Sequence, residues 1–246
     1  MTTTRTPKPT RRTFLATAAS AAAMFAVTPG LRPAFAADGK LKIGTIGAGN
    51  IGGTVGSLWV KAGHEVMFSS LDLEQTRKLA ASLGPLAHAG TSAEAAAFGE
   101  VVLISVPYGA IPQIGRDYAE ALAGKVVLET GNPVDRRDGP MATAALAKGT
   151  GLATAEYIPG VRLVRAFSTV GSGKLASEAG RAGEKVAIPL ASDDKEALEI
   201  ASRLVRDAGF EPVIVGKLAD ARKFDRGAAI YGKALTAREM RQRLGM

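Results

Sequence analysis

Short apolar runs and amphipathic stretches alternate along this chain from residue 41 onward. The run 101–106, Val-Val-Leu-Ile-Ser-Val, is apolar at all but one position, which is typical of a strand buried on both faces of a parallel sheet. The stretch 73–83 carries its apolar residues at helical spacing and is followed by a Gly-Pro pair, a common helix stop. The pattern therefore predicts strands that alternate with helices.

The predicted elements follow each other in a βαβ rhythm. Strands are predicted at 41–46, 64–70, 86–89, 101–106, 125–130, 162–167, 185–190 and 211–215, and helices at 51–62, 73–83, 92–98, 111–122, 140–148, 193–208, 217–224 and 236–244. This order predicts an α/β fold of the Rossmann type, with a doubly wound, mainly parallel sheet. We expect one main domain over 37–158 and a small C-terminal α/β extension over 159–246.

The first 36 residues have the pattern of a targeting segment. The run Thr10–Leu15 contains a twin arginine, an Ala-rich apolar stretch follows to Val27, and Ala34–Ala36 reads Ala-Phe-Ala. This predicts a twin-arginine signal peptide over 1–36, with cleavage after its last residue. Its apolar core is shorter than the ~20 residues of a membrane-spanning helix. We expect an exported protein, periplasmic or extracellular, with no stable membrane anchor after cleavage.

Composition narrows the function classes once that segment is set aside. The whole chain has a net charge of +8, but five of its 31 basic residues and none of its 23 acidic ones lie in 1–36. The remaining chain has 26 basic and 23 acidic residues, a net charge of +3, so nucleic-acid binding is not expected. The chain has no cysteine, which excludes disulfides, thiol catalysis and a lipid-modified cysteine anchor.

The first predicted strand runs into the glycine motif Gly47-Ala48-Gly49-Asn50-Ile51-Gly52, with G-x-G-x-x-G spacing. Gly47 permits a tight turn, Gly49 allows a pyrophosphate to approach the backbone, and Gly52 allows the helix to pack closely on the strand. The N–H groups at the start of that helix then hold the pyrophosphate. The strand before the motif and the helix after it provide the context that a dinucleotide-binding turn requires.

The end of the second predicted strand bears on the choice of dinucleotide. Proteins that bind NAD in this way usually place an Asp or Glu there, about 20 residues past the glycines, whereas this chain has Ser69 and Ser70. Two hydroxyls can donate to a 2′-phosphate, so NADP is favoured over NAD. Asp72 could still bind a ribose hydroxyl, and Arg77 or Lys78 could supply charge for a phosphate or form an exposed helix face.

Other kinds of site have little support in the sequence. The two histidines, His64 and His88, are separate and are expected to be structural. His and Cys spacing gives no metal cluster, and G-x-S-x-G is absent. Tyr108 and Tyr157 are the best proton donors for a carbonyl or imine substrate, although a buried tyrosine with a satisfied hydroxyl is the favoured interpretation. No catalytic side chain is assigned.

Several motifs in a fixed order resemble the NADPH-dependent F-420 oxidoreductase family. They are the glycine turn 47–52, Phe-Ser-Ser at 68–70, Val-Pro-Tyr at 106–108, Gly-Asn-Pro at 131–133, Thr-Ala-Glu-Tyr-Ile-Pro at 154–159 and Val-Arg-Ala-Phe-Ser-Thr at 164–169. The family is similar to the nucleotide domain of six-transmembrane ferric reductases and, more distantly, to pyrroline-5-carboxylate reductase. The resemblance covers most of 41–216. It implies bound NADP, with the nicotinamide facing a deazaflavin or flavin-like partner.

The resemblance also implies roles for individual residues. The glycine turn with Asn50 and Ile51 would hold the pyrophosphate, and Ser69 and Ser70 would lie on the 2′-phosphate side. The nicotinamide end would be lined by Val106, Pro107, Tyr108, Asn132 and Pro133, and Phe167 and Thr169 would face the second substrate or close the cleft. Two departures stand out. Leu71 occupies a position where the family usually has Arg, so that Arg77 would have to substitute, and Ser168 replaces an Asn.

The favoured hypothesis is an NADP-dependent oxidoreductase that transfers a hydride between NADPH and a small-molecule acceptor, a deazaflavin, flavin or similar ring. Such a transfer depends on the distance between the two rings more than on a proton donor. Two alternatives stay open: an NADP-dependent imine or carbonyl reductase, and a non-enzymatic NADP-binding module. The oligomeric state, a homodimer or otherwise, also stays open.

Overall fold

A single sheet of eight strands organises residues 39–246, the part of the chain that the computed structural model describes. The predicted signal peptide, 1–36, lies outside these residues. The strands are β1 (Lys42–Ile46), β2 (Glu65–Ser69), β3 (Ala87–Gly90), β4 (Val101–Ile104), β5 (Val126–Glu129), β6 (Arg162–Arg165), β7 (Ala187–Ala191) and β8 (Glu211–Gly216). Their order in the sheet is β3-β2-β1-β4-β5-β6-β7-β8.

The first six strands are parallel, and their order 3-2-1-4-5-6 is that of the Rossmann fold. Strand β7 pairs antiparallel with β6, and β8 is parallel to β7. The predicted fold class, a doubly wound and mainly parallel α/β sheet, is therefore confirmed. Residues 40–246 form one compact unit, and the boundary predicted near residue 158 falls inside it.

Helices lie between the strands. They are α1 (Asn50–Lys61), α2 (Leu73–Leu83), α3 (Ser92–Phe98), α4 (Ile111–Asp117), α5 (Ala119–Leu122), α6 (Asp135–Asp138), α7 (Pro140–Lys148), α8 (Thr150–Tyr157), α9 (Ser172–Glu178), α10 (Lys195–Asp207) and α11 (Ala237–Leu244), with 3₁₀ helices at Tyr108–Ala110 and Leu218–Lys223. Three of them, α2, α3 and α7, have the predicted bounds, whereas the helix predicted at 111–122 is divided into α4 and α5. Within 39–246, each helix is too short or too polar to span a bilayer.

The core extends from the first helix to the last strands. Trp59 on α1 is fully buried and donates from Nε1 to the backbone carbonyl of Leu204 on α10, at 2.8 Å. Its ring packs edge-on against Phe167, 6.0 Å between centroids, and Phe167 packs in turn against Phe210. The segment after residue 158 therefore shares its apolar interior with α1, the helix that follows the glycine motif.

His64, which precedes β2, is structural, as expected. Its Nδ1 accepts the backbone N–H of Leu41 at 3.1 Å, and its Nε2 lies 2.9 Å from a carboxylate oxygen of Asp207. These contacts require the neutral tautomer that carries its proton on Nε2. Burial lowers the pKa of His64 below its usual value, with the Asp207 carboxylate opposing the shift.

His64 should make the fold sensitive to mild acid. Because its pKa is lower in the folded state than in the unfolded chain, the stability it contributes is present above the unfolded value, about 6.5, and is lost as pH falls toward the folded value. We expect His64→Gln to lower the free energy of unfolding by about 1–3 kcal/mol at pH 7.5. The difference in Tm between wild type and variant should narrow as pH falls to 5. A Tm difference between wild type and variant that stays constant from pH 7.5 to 5 would contradict this role of His64.

Candidate functional site

The glycine loop that follows β1 is folded back over the end of β2. Gly47 has a φ of +96°, a left-handed conformation that side chains rarely adopt, and an added Cβ would overlap the carbonyl of Ser105. The N–H groups of Gly47 and Ala48 both donate to the backbone oxygen of Ser69, at 3.0 and 2.7 Å. These two bonds fix the path of the loop into α1.

The other two motif glycines have different surroundings. A Cβ on Gly52 would overlap the carbonyl oxygen of Gly47 and lie 3.0 Å from the Cβ of Ser105, so Gly52 permits the close packing of α1. A Cβ on Gly49 would meet no atom within 4 Å. Nothing in the described protein therefore requires glycine at position 49, and the open space in front of it fits a bound group.

The start of α1 has the properties of an anion cradle. Within residues 39–246 no side chain caps this helix, its N-cap is Gly49, and its first turn holds no acidic residue. Unpaired N–H groups and the positive end of the helix dipole therefore face the open space. Asn50 is exposed there and Ile51 is half-buried. These features fit a pyrophosphate.

A groove continues from this cradle along α1. It has a volume of about 590 Å³ and runs between α1, α2 and α9. Its lining residues are mostly small or polar: Ala48, Gly49, Asn50, Gly53, Thr54, Ser57, Leu58, Lys61, Ser70, Gln75, Leu79, Ser172, Gly173 and Ala176. Arg77, which is exposed on α2, is not among them.

The hydroxyls at the end of β2 are engaged within the protein, which corrects their predicted role as phosphate donors. Ser69 is fully buried, and its Oγ donates to the carbonyl of Thr45 at 2.9 Å. Ser70 donates to the carbonyl of Asp72 at 2.8 Å, as short polar side chains before a helix commonly do. Ser70 still borders the groove, whereas Ser69 acts through its backbone oxygen.

The loop after β4 meets the glycine loop, but its three predicted residues face different ways. Val106 is half-buried against Gly47, and Pro107 is exposed. Tyr108 fits the favoured interpretation of a buried tyrosine with a satisfied hydroxyl, and not the lining role that the resemblance implies, because its side chain is fully buried and its hydroxyl lies 3.2 Å from Oγ1 of Thr154. Burial raises the pKa of Tyr108 far above its usual range. Its hydroxyl is therefore sealed in the core and is not a proton donor to the cleft.

A hydrogen bond joins the turns after β5 and β6 at the same edge of the sheet. Asn132 donates from Nδ2 to the carbonyl of Ser168 at 2.7 Å, and Pro133 beside it is buried. The buried atoms Oδ1 of Asn132, Oγ of Ser168 and Oγ1 of Thr169 have no hydrogen-bond partner. Buried polar atoms are rarely left unpaired in proteins. This edge therefore contains polar atoms whose hydrogen-bonding capacity the described protein leaves unused.

Phe167 does not face this cleft, contrary to the prediction. Its ring is buried between Trp59 and Phe210. Its backbone has a φ of 53°, and it is the one residue other than glycine with a positive φ among the described residues. Such a conformation costs on the order of 1–3 kcal/mol. It turns the chain sharply after β6, so that Phe167 enters the core and the next two residues form the edge.

Beneath this edge lies a buried charge network that the motifs do not reveal. Glu129 and Arg165 are paired neighbours at the ends of β5 and β6, both are fully buried, and they form an ion pair. Arg165 also contacts Asp225 at 3.2 Å and donates to the carbonyl of Gly131 at 2.8 Å. Glu129 accepts the N–H of Gly131. The sequence signal is a charged residue that follows a pair of apolar residues at the end of each of the two strands.

The network fixes the turn that carries Asn132. The carboxylate of Glu129 and the guanidinium of Arg165 bind the N–H and the carbonyl of Gly131, the residue before it. Burial raises the pKa of Glu129, and the adjacent Arg165 opposes that shift. The described residues hold no group of three His, Cys, Asp or Glu side chains placed to bind a metal.

Comparisons with known proteins bear on what this edge binds. Residues 42–133 match the family described as NADP oxidoreductase, coenzyme F420-dependent. The F420-dependent NADP reductase of Methanothermobacter marburgensis is 29% identical over 178 residues, which cover 67% of this chain and 79% of that protein. The metalloreductase STEAP3 of Rattus norvegicus is 25% identical over 187 residues, which cover 75% of this chain. The match spans only 36% of the STEAP3 length.

A solved structure supports the fold. A hypothetical protein from Sinorhizobium meliloti superposes with a TM-score of 0.70 at 22% identity, covering 80% of this chain and 96% of that one. Together, the fold and the matches define the class of protein: an NAD(P)-dependent oxidoreductase with a Rossmann fold. Within that class, the chain is similar over residues 42–133 to the NADP oxidoreductase, coenzyme F420-dependent, family.

The buried network gives a prediction about stability. Arg165→Met would leave Glu129 and Asp225 buried without their cation, so we expect a loss of about 3–5 kcal/mol in urea unfolding at pH 8. Without the opposing Arg165, the folded pKa of Glu129 would lie still further above its unfolded value, so the stability deficit should shrink as pH falls toward 5.

Arg162→Met is the matched control on the same strand. Arg162 pairs with Asp194 and Glu196, which are partly exposed, and its loss should cost about 1 kcal/mol or less. Equal losses for the two variants would contradict a special role for the buried network.

Proposed function

We propose that this protein transfers a hydride between NADPH and a deazaflavin, flavin or similar ring at the carboxyl edge of β1, β4, β5 and β6. The observation that carries the proposal is the convergence of two unfilled features at this edge. One is the open cradle at Gly49, and the other is the set of unpartnered polar atoms on Asn132, Ser168 and Thr169. Ligands of parallel α/β sheets bind at this edge, where the strand order reverses.

The residues of the chain bind and orient the dinucleotide and the acceptor, and take little part in the reaction itself. The start of α1 holds the pyrophosphate, and Val106 and Asn132 border the place where the nicotinamide would lie. A bound nicotinamide supplies the hydride, and the transfer needs the two reacting atoms about 3–3.5 Å apart. No acid is required, which agrees with the sealed hydroxyl of Tyr108. The name of the Methanothermobacter relative, an F420-dependent NADP reductase, supports a deazaflavin as acceptor.

Two alanine variants test the cradle because they add the same methyl group in different surroundings. Gly49→Ala places it in open space, so the fold should be kept, with about 1 kcal/mol or less lost at the helix cap. Dinucleotide binding, measured by calorimetry, should weaken tenfold or more. Gly52→Ala places it against the Gly47 carbonyl and should destabilise the fold by about 1–3 kcal/mol. Unchanged NADPH binding by Gly49→Ala would refute the cradle.

The acceptor is tested by following the absorbance of the reduced nicotinamide. Purified protein should oxidise NADPH when coenzyme F420 or FMN is present, and Asn132→Ala should slow this turnover tenfold or more with little change in dinucleotide affinity. Gln113→Ala, which removes an exposed amide on α4, is the control and should keep full activity. Turnover with a cyclic imine but with no deazaflavin or flavin would replace this proposal by the imine-reductase alternative.

A further inference from the structure

The turn between β2 and α2, residues 70–72, lies where a dinucleotide in the cradle would place its adenosine ribose. This position decides between NAD and NADP in Rossmann folds: a carboxylate binds the ribose 2′-hydroxyl, whereas an arginine nearby accommodates the 2′-phosphate. Selectivity at this turn rests on the proposed function only in requiring that a dinucleotide binds the glycine loop.

Neither serine at this turn has a proton free for a phosphate. The Ser69 hydroxyl is fully buried and donates to Thr45, with Oγ of Ser92 a further 3.3 Å contact. The Ser70 hydroxyl lies 2.8 Å from the Asp72 carbonyl and 2.6 Å from Oγ1 of Thr76, and it accepts the Asp72 N–H. A hydroxyl has one proton. Binding a phosphate through Ser70 would therefore break the turn that starts α2.

The charge at this turn is negative. Residues 69–75 contain Asp72 and Glu74 and no Lys or Arg. Asp72 caps α2, and one of its carboxylate oxygens accepts the N–H of Gln75 at 2.9 Å. The first basic residues lie beyond, Arg77 on an exposed face and Lys78 paired with Glu74 at 3.0 Å. A carboxylate has about four acceptor sites, so Asp72 can still accept a bond from a ribose hydroxyl.

Leu71 occupies the centre of the turn and is fully exposed, at 109% of its reference area. Its side chain offers no hydrogen bond to either form of the ribose. A 2′-phosphate beside it would stay in water, so its desolvation would be small, and its repulsion by Asp72 would be screened by salt. The 2′-phosphate therefore adds no favourable contact to the binding free energy at this turn, and its unfavourable contribution is small.

We propose that this chain does not select NADPH over NADH, because the turn around Leu71 holds no cation while Asp72 can bind the free ribose hydroxyl. The two dinucleotides should bind with affinities within tenfold of each other. Leu71 is then the residue that sets the selectivity, and a cation at that position should create a preference for NADPH.

Calorimetry with NADH and NADPH on the purified full protein tests this directly. Dissociation constants within tenfold of each other are the expected result, and an NADPH preference greater than tenfold would overturn the inference. A preference for NADH beyond tenfold would overturn it as well. Absence of binding for both dinucleotides would refute the proposed function and this inference together. A preference greater than tenfold would refute the inference alone, so the two failures are distinguishable.

Two variants test the roles of the residues. Leu71→Arg adds a guanidinium that can pair with a phosphate through two bonds, and it should shift the affinity ratio toward NADPH by tenfold or more. Leu86→Arg adds the same charge at a half-exposed site before β3, at the opposite edge of the sheet, and should leave the ratio unchanged. A Leu71→Arg ratio equal to that of Leu86→Arg would overturn the assignment.

Asp72→Asn removes the charge and keeps a residue that caps helices equally well. The fold should therefore be retained, which circular dichroism and Tm can verify. The ratio should move toward NADPH by a few fold, because repulsion of the phosphate is removed and the acceptor for the ribose hydroxyl is weakened. An unchanged ratio would contradict the role given to Asp72.

Discussion

The backbone oxygen of Ser69 accepts two hydrogen bonds, from Gly47 and Ala48, and the geometry of the dinucleotide loop depends on this contact. It pulls the chain back over β2 as soon as β1 ends, which is why Gly47 needs a positive φ. The Ser69 side chain, bonded to Thr45, holds the acceptor in place. With the loop fixed by its first two N–H groups, those that begin α1 remain free to face the space at Gly49.

The other half of the site depends on buried charge. An ion pair such as Glu129–Arg165 loses its hydration on burial, and its attraction offsets that cost only when the geometry is good and the remaining polar atoms are bonded. Here Arg165 also binds Asp225 and the Gly131 carbonyl. The hydrogen bonds that complete the pairing thus reach the backbone of the turn before Asn132. The same hydrogen bonds therefore stabilise the buried charges and position the turn.

The sequence predicts the fold well because its signals are local. All eight strands were indicated by short apolar runs, and α2, α3 and α7 by helical spacing and their end signals. The short helices α8 and α9 were missed because Gly, Ser and Thr dilute their pattern. The buried network was missed because charged residues usually indicate exposure, and only the register of β5 and β6 shows that Glu129 meets Arg165.

The sequence does not predict the direction of the side chains at the candidate site. Motif order places Tyr108 and Phe167 at the same edge of the sheet, yet both rings turn into the core, Phe167 through a φ that no pattern indicates. The serines show the same limit, since a hydroxyl is useful to a ligand only if the fold leaves its proton free.

At the start of α2, capping the helix and binding a 2′-phosphate compete for the same atoms. Ser70 and Asp72 stabilise the helix by bonding its first turn, and a carboxylate suits the positive end of a helix dipole. The same bonds consume the donor that a 2′-phosphate would need and place a negative charge beside it. Selectivity at the ribose therefore follows from how this helix is capped. Leu71, the exposed residue between Ser70 and Asp72, is a position where a cation can be added without removing either side chain.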